Sequence, residues 1–217
     1  MKQRDRRAAV KTMKTKAVEK PKVILTIGHS THGVETFIYL LQAHQVTFVV
    51  DVRTIPRSRH VPQFGKEALL NSLHAADIAY EHMPGLGGLR HPRVDSPNKA
   101  WRNASFRGFA DYMQTNEFEE SLNSLVDRAR HDRVALMCAE AVPWRCHRSL
   151  IADALAVRGI RVEHILGAVR TQVHTLTPWA RVRGKRITYP ADETDVASQV
   201  DNHVRVVPCH QISAVNQ

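Results

Sequence analysis

The residues best suited to chemistry lie in one stretch, which runs from Cys138 to Arg148. It contains two of the three cysteines of the chain, a glutamate, a histidine and two arginines. A cysteine beside a histidine and arginines favours a reactive thiolate, because nearby positive charge lowers the pKa of a thiol. The candidate residues of this stretch are Cys138, Glu140, Arg145, Cys146, His147 and Arg148.

The sequence on either side predicts a strand before this stretch and a helix after it. Residues 134–137 are continuously apolar, which is typical of a strand buried on both faces. A mostly apolar run over 150–157 is followed by Gly159, so a helix is expected from about Cys146 to Arg158. The loop between the two elements therefore carries the candidate residues.

The same alternation of strands and helices extends over most of the chain. A strand is predicted over residues 23–27, ending at Gly28, and Ser30 or Thr31 can cap the helix that follows. A second strand is predicted over 46–50. The alternation predicts a single α/β domain with a three-layer architecture, in which a mainly parallel sheet has helices on both faces.

The carboxyl ends of the predicted strands bring further polar side chains to the same edge of the sheet. Ligands of open α/β sheets bind beyond these strand ends. We therefore expect the residues after the first two strands to join the Cys138–Arg148 stretch around one site. These residues are His29, Ser30, Asp51, Arg53, Arg57 and Ser58.

The net charge of +10 is unevenly distributed. Residues 1–22 contain nine lysines and arginines but only two acids, so the other 195 residues carry a net charge of +3. We predict a basic, disordered arm at 1–22, an α/β domain at 23–190 and a loosely ordered tail at 191–217. The arm either contacts nucleic acid or has no specific role, and a third alternative, a transit peptide, is disfavoured by its two acids and its lack of serine.

Composition also indicates in which compartment of the cell the protein is expected. No apolar run is long enough to span a membrane, and the N-terminus has no apolar segment of a secretory signal. Three unevenly spaced cysteines do not form a disulfide framework. We therefore expect a cytoplasmic protein without a membrane partner.

Several of these segments together resemble the bacterial family called domain of unknown function 488. They include Thr26 to Ser30, Asp51 to Arg53 with Pro56 and Ser58, Leu86 to Gly88, and the spaced set from Cys138 to Arg148. Leu176 to Trp179 and Ile187 to Pro190 look like the C-terminal extension of that family. The resemblance covers about residues 23–190 and implies no established reaction.

The first functional hypothesis is an anion site at the edge of the sheet. Guanidinium groups suit phosphate or carboxylate, and two helix N-termini are expected at the same edge. The alternative is that the arginines form structural salt bridges with Asp51 and Glu140. The arginines concerned are Arg53, Arg57, Arg145 and Arg148.

The second hypothesis is a cysteine nucleophile. The layout resembles rhodaneses and cysteine-dependent phosphatases, but Cys138 and Arg145 are one residue further apart than the phosphatase loop requires. Glu140 within the loop would also repel a phosphate. Cys138 is alternatively a small buried apolar residue, whereas the setting of Cys146 is that of a reactive thiol.

Two further kinds of chemistry remain open. Cys138, Cys146 and His147, joined in space by His29, could bind a metal, although their spacing is not that of a structural zinc site, and no metal ligand is assigned. Proton transfer could fall to Glu140, His147, Asp51 or His29. The sequence does not identify a cofactor.

The leading prediction is a protein that binds or processes a phosphate-bearing ligand, such as a nucleotide or a nucleic acid. The ligand-binding residues would be His29, Ser30, Arg53, Arg57, Ser58, Arg145 and Arg148, and the catalytic residues Glu140, Cys146, His147 and Asp51. The alternatives are a cysteine-dependent transferase or redox enzyme, and a non-catalytic module that binds nucleic acid or another partner.

Overall fold

A six-stranded sheet forms the centre of the structure, a computed structural model that describes residues 23–57 and 60–191. The predicted basic arm, Ser58 and nearly all of the predicted tail lie outside these ranges. The strands are β1 (Ile24–Gly28), β2 (Phe48–Asp51), β3 (Ala79–His82), β4 (Val134–Cys138), β5 (Val162–Gly167) and β6 (Arg170–Val173).

The strand order is β3-β2-β4-β1-β5-β6, with β1 to β5 parallel and β6 antiparallel to β5. Three of the four inner strands, β2, β4 and β1, are buried along their whole length, as their mainly apolar sequences predict. The predicted mainly parallel α/β fold is confirmed. The antiparallel strand β6 was not predicted, because its sequence is polar and mostly exposed.

Five helices within the described ranges cover the sheet. They are α1 (Val34–Ala43), α2 (Lys66–His74), α3 (Ala104–Tyr112), α4 (Asn116–Arg128) and α5 (Arg148–Ala156). Successive strand residues point to opposite faces and enter two separate apolar clusters. Helices α1 and α2 pack in one cluster, and α3, α4 and α5 pack in the other, so both faces of the sheet are covered.

Two predicted helix starts differ from the structure. Capping of α1 by Ser30 or Thr31 is wrong, because α1 begins at Val34 and its N-cap is Gly33. Ser30 instead lies in the turn after β1 with a positive φ of 48°. The helix expected from about Cys146 begins at Arg148, because a short 3-10 turn, Pro143–Arg145, comes before it.

The C-terminal segment, residues 174–191, is held to the domain through Asp153, a fully buried residue of α5. Its carboxylate accepts hydrogen bonds from the hydroxyls of Thr177 and Tyr189, at 2.6 and 2.8 Å. It also accepts one from Nε2 of His174 at 2.8 Å. A hairpin of β7 (Arg181–Arg183) and β8 (Arg186–Thr188) lies between Thr177 and Tyr189.

The register places three strand ends at one level. Gly28 at the end of β1 pairs with Cys138 at the end of β4, and Asp51 at the end of β2 pairs with Met137. Within the described ranges, every helix is too short or too polar to cross a bilayer.

Candidate functional site

A cavity of about 330 Å³ opens at the carboxyl ends of β1, β2 and β4. Segments that follow all three strands contribute to its wall, and eight of the twelve residues expected at this edge meet there, whereas Ser30 does not line the cavity. The predicted residues that line it are His29, Arg53, Arg57, Cys138, Glu140, Arg145, Cys146 and His147. Asp51 and Arg148 support lining residues from behind, and Ser58 lies outside the described residues.

Asp51 and Arg53 form a buried ion pair, which is the structural alternative considered above. Arg53 Nη2 lies 2.6 Å from Asp51 Oδ2, and Nε donates to Oδ1 at 2.9 Å. The hydroxyl of Tyr80 also donates to this carboxylate, at 2.8 Å. Asp51 is fully buried, so its carboxylate orients Arg53 and does not reach the cavity.

His29 is a neutral side chain beside this pair. Its ring stacks on Phe64 with centroids 4.2 Å apart. Nδ1 lies 2.9 Å from the carbonyl oxygen of Ser30, which can only accept, so Nδ1 carries the proton and Nε2 faces Arg53 Nη1 at 3.4 Å. Burial first, and then the charge of Arg53, lower the pKa of His29.

The sulfur of Cys146 is held by two hydrogen bonds from Arg148. It accepts from Nε of Arg148 at 3.3 Å and from the backbone N–H of Arg148 at 3.5 Å. That N–H belongs to the first residue of α5, so a helix N-terminus points at the sulfur. Cys146 is 2% exposed, and it still forms part of the cavity wall.

His147 is oriented to accept a proton from this thiol. Nε2 of His147 lies 3.0 Å from the carbonyl oxygen of Val52, which can only accept, so Nε2 carries the ring proton. The lone pair of Nδ1 then faces the sulfur of Cys146 at 3.7 Å. The ring also packs edge-on against Phe109, at 5.1 Å between centroids.

Gly88 explains how His147 fits into the wall. A Cβ atom at position 88 would overlap the imidazole ring of His147, so only glycine allows this close approach. The Leu-Gly-Gly segment thus acts as a packing surface for the histidine.

The two thiols of the site have opposite properties. Burial alone would raise the pKa of Cys146, but its hydrogen bonds with Cys138 and His147 and the charge of Arg148 lower it well below its ordinary value. The pKa of Cys138 is raised, first by its hydrogen bond to Cys146 and then by burial. Cys146 is therefore the thiolate of the pair, and Cys138 stays protonated.

The side chain of Arg148 is buried, so its guanidinium group is not exposed to bind an anion. It is 1% exposed, and besides its contacts with Cys146 it donates through Nη2 to the carbonyl oxygen of Glu140 at 2.5 Å. Gly28 lies against the same carbonyl, which leaves no room there for a Cβ atom. These contacts fix the loop between β4 and the 3-10 turn.

Among the described residues of the cavity wall, Arg57 and Arg145 are the arginines with exposed side chains. The carboxylate of Glu140 is also exposed, and no ion pair involves it in the described part of the chain. Two guanidinium groups and one carboxylate therefore leave positive charge at the mouth of the cavity. Apolar side chains, Ile55, Leu89 and Phe106, complete the wall.

The site also contains a group that could hold a metal ion. The ligand atoms of Cys138, Cys146 and His147 all lie within 4.8 Å of one another. Two sulfurs and one imidazole nitrogen would suit a thiophilic ion such as Zn²⁺. His29, which the sequence suggested as a further ligand, is not part of this group.

Sequence reasoning missed two residues that shape the site. Tyr80 lies in β3, the strand next to β2, so its position near a strand end was a usable signal. Phe64 stacks its ring on His29, and its carbonyl oxygen accepts a hydrogen bond from Arg53. It lies in a short 3-10 turn, which has no periodic sequence pattern that would predict it.

Comparison with known proteins gives one match. A family model described as domain of unknown function DUF488 matches residues 33–155, more than half of the 217 residues. The match contains Asp51, Arg53 and the whole Cys138–Arg148 stretch, and it begins after His29. No curated protein and no solved structure matches the chain.

Proposed function

The chain belongs to the family described as domain of unknown function DUF488, and since that description names no reaction, we propose a function from the geometry of the site. The protein is a cysteine-dependent enzyme that acts on a small anionic substrate. Cys146 is its nucleophile, His147 its base and Cys138 its second thiol.

One observation carries this proposal. The sulfur of Cys146 lies between the proton-accepting Nδ1 of His147 at 3.7 Å and the Nε–H of Arg148 at 3.3 Å, in the wall of a cavity. A nucleophile, a base and a third group that orients the base, here the carbonyl of Val52, form the usual arrangement of nucleophilic catalysis.

The chemistry we propose is sulfur exchange. The thiolate of Cys146, formed when its proton passes to Nδ1 of His147, attacks a substrate disulfide, binds one half and releases the other half, which takes that proton from His147. Cys138 then passes its proton to Nδ1 of His147 and attacks the sulfur of Cys146, and the second half leaves with that proton as a thiol. The product is a Cys138–Cys146 disulfide, and a dithiol reductant restores both thiols.

The charge at the cavity mouth supports an anionic substrate. Arg57 and Arg145 can steer an anion toward the cavity, and the apolar wall accepts the rest of a small molecule. The same two arginines support a second candidate function, the binding of a phosphate-bearing ligand without a covalent step. Arg53 and Arg148 would contribute to either function only by supporting His29 and Cys146.

Two disulfide probes test the proposal in a chain with Cys209→Ser, which leaves the site cysteines as the only thiols. The probes are the dianion dithiobis-nitrobenzoate and the uncharged 4,4′-dithiodipyridine. With the dianion, we expect two equivalents of released thiol per chain. Cys138→Ser should release one equivalent and retain a mixed disulfide on Cys146, detected by mass, and Cys146→Ser should react slowly.

Charge reversal provides the matched control. Arg57→Glu and Arg145→Glu should slow the reaction of the dianionic probe and leave that of the uncharged probe nearly unchanged. Reaction with one equivalent at Cys138, or at neither thiol, contradicts the enzyme proposal. If dianions of inorganic phosphate bind but both thiols stay unreactive after treatment with a zinc chelator, the non-covalent function is favoured.

A further inference from the structure

A second cavity, of about 290 Å³, lies near β5 and β6 and shares no lining residue with the thiol site. All three tryptophans of the chain, Trp101, Trp144 and Trp179, are in its wall. Three indoles around one cavity provide a large aromatic surface for a small molecule.

We propose that this cavity binds an uncharged planar heteroaromatic ring, such as the base of a nucleoside, between its indole side chains. The proposal does not depend on the thiol chemistry at the first cavity. It assigns to the aromatic residues of the 3-10 turn and the C-terminal segment a role in ligand recognition.

The arrangement of the indoles leaves a stacking surface open. Trp101 packs edge-on against Trp179 and Tyr189, with ring centroids 5.4 Å apart in both pairs, so its position is fixed. Trp144 comes from the 3-10 turn, is 62% exposed and makes no ring contact with the other two tryptophans in the described structure. A planar ligand in the cavity would cover this exposed indole face.

The charge of the wall favours an uncharged ring. Among the described lining residues there is no aspartate, glutamate, lysine or arginine. Asp153 lies behind the wall, but it is fully buried and its oxygens accept from His174, Thr177 and Tyr189. A quaternary ammonium ligand would find no exposed carboxylate among the described residues of this wall.

The two histidines of the wall are not free to bind a ligand through their ring nitrogens. Nε2 of His164 pairs with Nδ1 of His174 at 3.1 Å, and Nδ1 of His164 pairs with the hydroxyl of Thr26 at 2.8 Å. Nε2 of His174 is bonded to Asp153. The histidines therefore form a fixed part of the cavity wall, and hydrogen bonds and stacking contacts to a ligand come from the indoles and from the amide of Gln172.

One polar side chain in the wall favours a heterocycle over a hydrocarbon ring. The indole N–H of Trp101 is buried without a hydrogen-bond partner in the described structure. This N–H has almost no accessible surface, so the accessible polar group for a heterocycle is the amide of Gln172, which can donate to or accept from the polar atoms of a bound ring.

The test is titration calorimetry on the full chain with adenosine, uridine and nicotinamide as uncharged planar probes. Tetramethylammonium and cyclohexanol serve as the cationic and the non-planar comparison. We expect saturable binding of at least one planar probe, weakened about 5- to 150-fold by Trp144→Ala, since stacking on one aromatic side chain accounts for a difference of this size. Val169→Ala, at a fully exposed position, should leave binding unchanged.

Two replacements at one position separate stacking from general apolar contact. Trp144→Phe keeps a π face and should retain more affinity than Trp144→Leu, which keeps only apolar bulk. Equal affinity of these two variants overturns the proposal. So does tighter binding of tetramethylammonium or cyclohexanol, or the absence of saturable binding of all three planar probes in the millimolar range.

Discussion

Replacing Arg148 by methionine should reduce the reactivity of Cys146 at acidic to neutral pH. Methionine keeps the apolar bulk of the side chain in a position that is 1% exposed, but it removes the Nε–H that lies 3.3 Å from the sulfur. It also removes the positive charge that helps to lower the pKa of Cys146. The backbone N–H of residue 148 is retained, so part of the thiolate stabilisation survives the change.

The size of the effect follows from the lost contact. A hydrogen bond to a charged group contributes roughly 1.5–3 kcal/mol, so the ratio of thiolate to thiol should fall about 10- to 150-fold. A less stabilised thiolate is more nucleophilic, which recovers about half of this loss on a logarithmic scale. At pH values below the pKa of Cys146 in both proteins, where the rate follows the thiolate fraction, the alkylation rate should therefore fall roughly 4- to 15-fold.

The assay is alkylation by iodoacetamide, an uncharged reagent, with the modified cysteines located by mass spectrometry of peptides. Arg145→Met is the matched control, because Arg145 is an exposed residue of the same cavity wall. It should alkylate at the wild-type rate. Arg148→Lys, which restores the charge without the planar donors, should be intermediate, and thermal melting shows that each variant is folded.

An unchanged alkylation rate in folded Arg148→Met would refute this reasoning. It would mean that the guanidinium of Arg148 does not stabilise the thiolate of Cys146, whatever its distance from the sulfur. A rate that falls equally in Arg145→Met would mean that a general field of positive charge is responsible.

Three further predictions concern stability. Tyr189→Phe should lower the free energy of unfolding by about 1–3 kcal/mol in urea titrations, because the buried Asp153 carboxylate loses a donor; no loss would contradict its anchoring role. Gly28→Ala should lower the melting temperature because its Cβ would meet the Glu140 carbonyl, whereas Gly167→Ala, with space for a Cβ, should not. The folded pKa of Cys146 is lowered, so its stabilising effect is complete above the unfolded pKa of about 8.5 and is lost as the pH falls. The stability of the wild type relative to Cys146→Ser should therefore increase from acid pH toward about pH 8, and a difference that does not change with pH would contradict the pKa shift.

The position of the site could be predicted from the sequence because it depends on topology. Continuous apolar runs at 23–27, 46–50 and 134–137 indicate buried parallel strands, and the carboxyl ends of such strands lie on one edge. In the structure Gly28 pairs with Cys138, so these two strand ends lie at one level. The convergence of His29, Arg53 and Cys146 therefore needed no knowledge of side-chain contacts.

Which of the arginines are buried in structural contacts and which are exposed could not be predicted in the same way. Four arginines of equal chemistry lie near the site, but Arg53 is paired with Asp51 and Arg148 with the Cys146 sulfur. Which arginine is buried depends on loop conformation, and the 3-10 turn Pro143–Arg145 has no periodic sequence signal. The same reason explains why the packing of His147 against Gly88 was missed.

Strand β6 and the C-terminal segment show a different limit. Strands β6, β7 and β8 are only three or four residues long, and β6 and β7 are mostly exposed, so they lack the alternation by which strands are recognised. Their attachment depends on single buried contacts of Thr177 and Tyr189 with Asp153. A buried aspartate within an apolar helix was the signal that could have pointed to this anchor.

The most direct test of the central claim is the ultraviolet absorbance of the Cys146 thiolate, measured against pH as the difference between the Cys209→Ser chain and the same chain with Cys146→Ser. The account predicts a thiolate that appears well below the ordinary thiol pKa of about 8.5. A transition at or above that value would contradict the claim that His147 and Arg148 hold Cys146 as a thiolate.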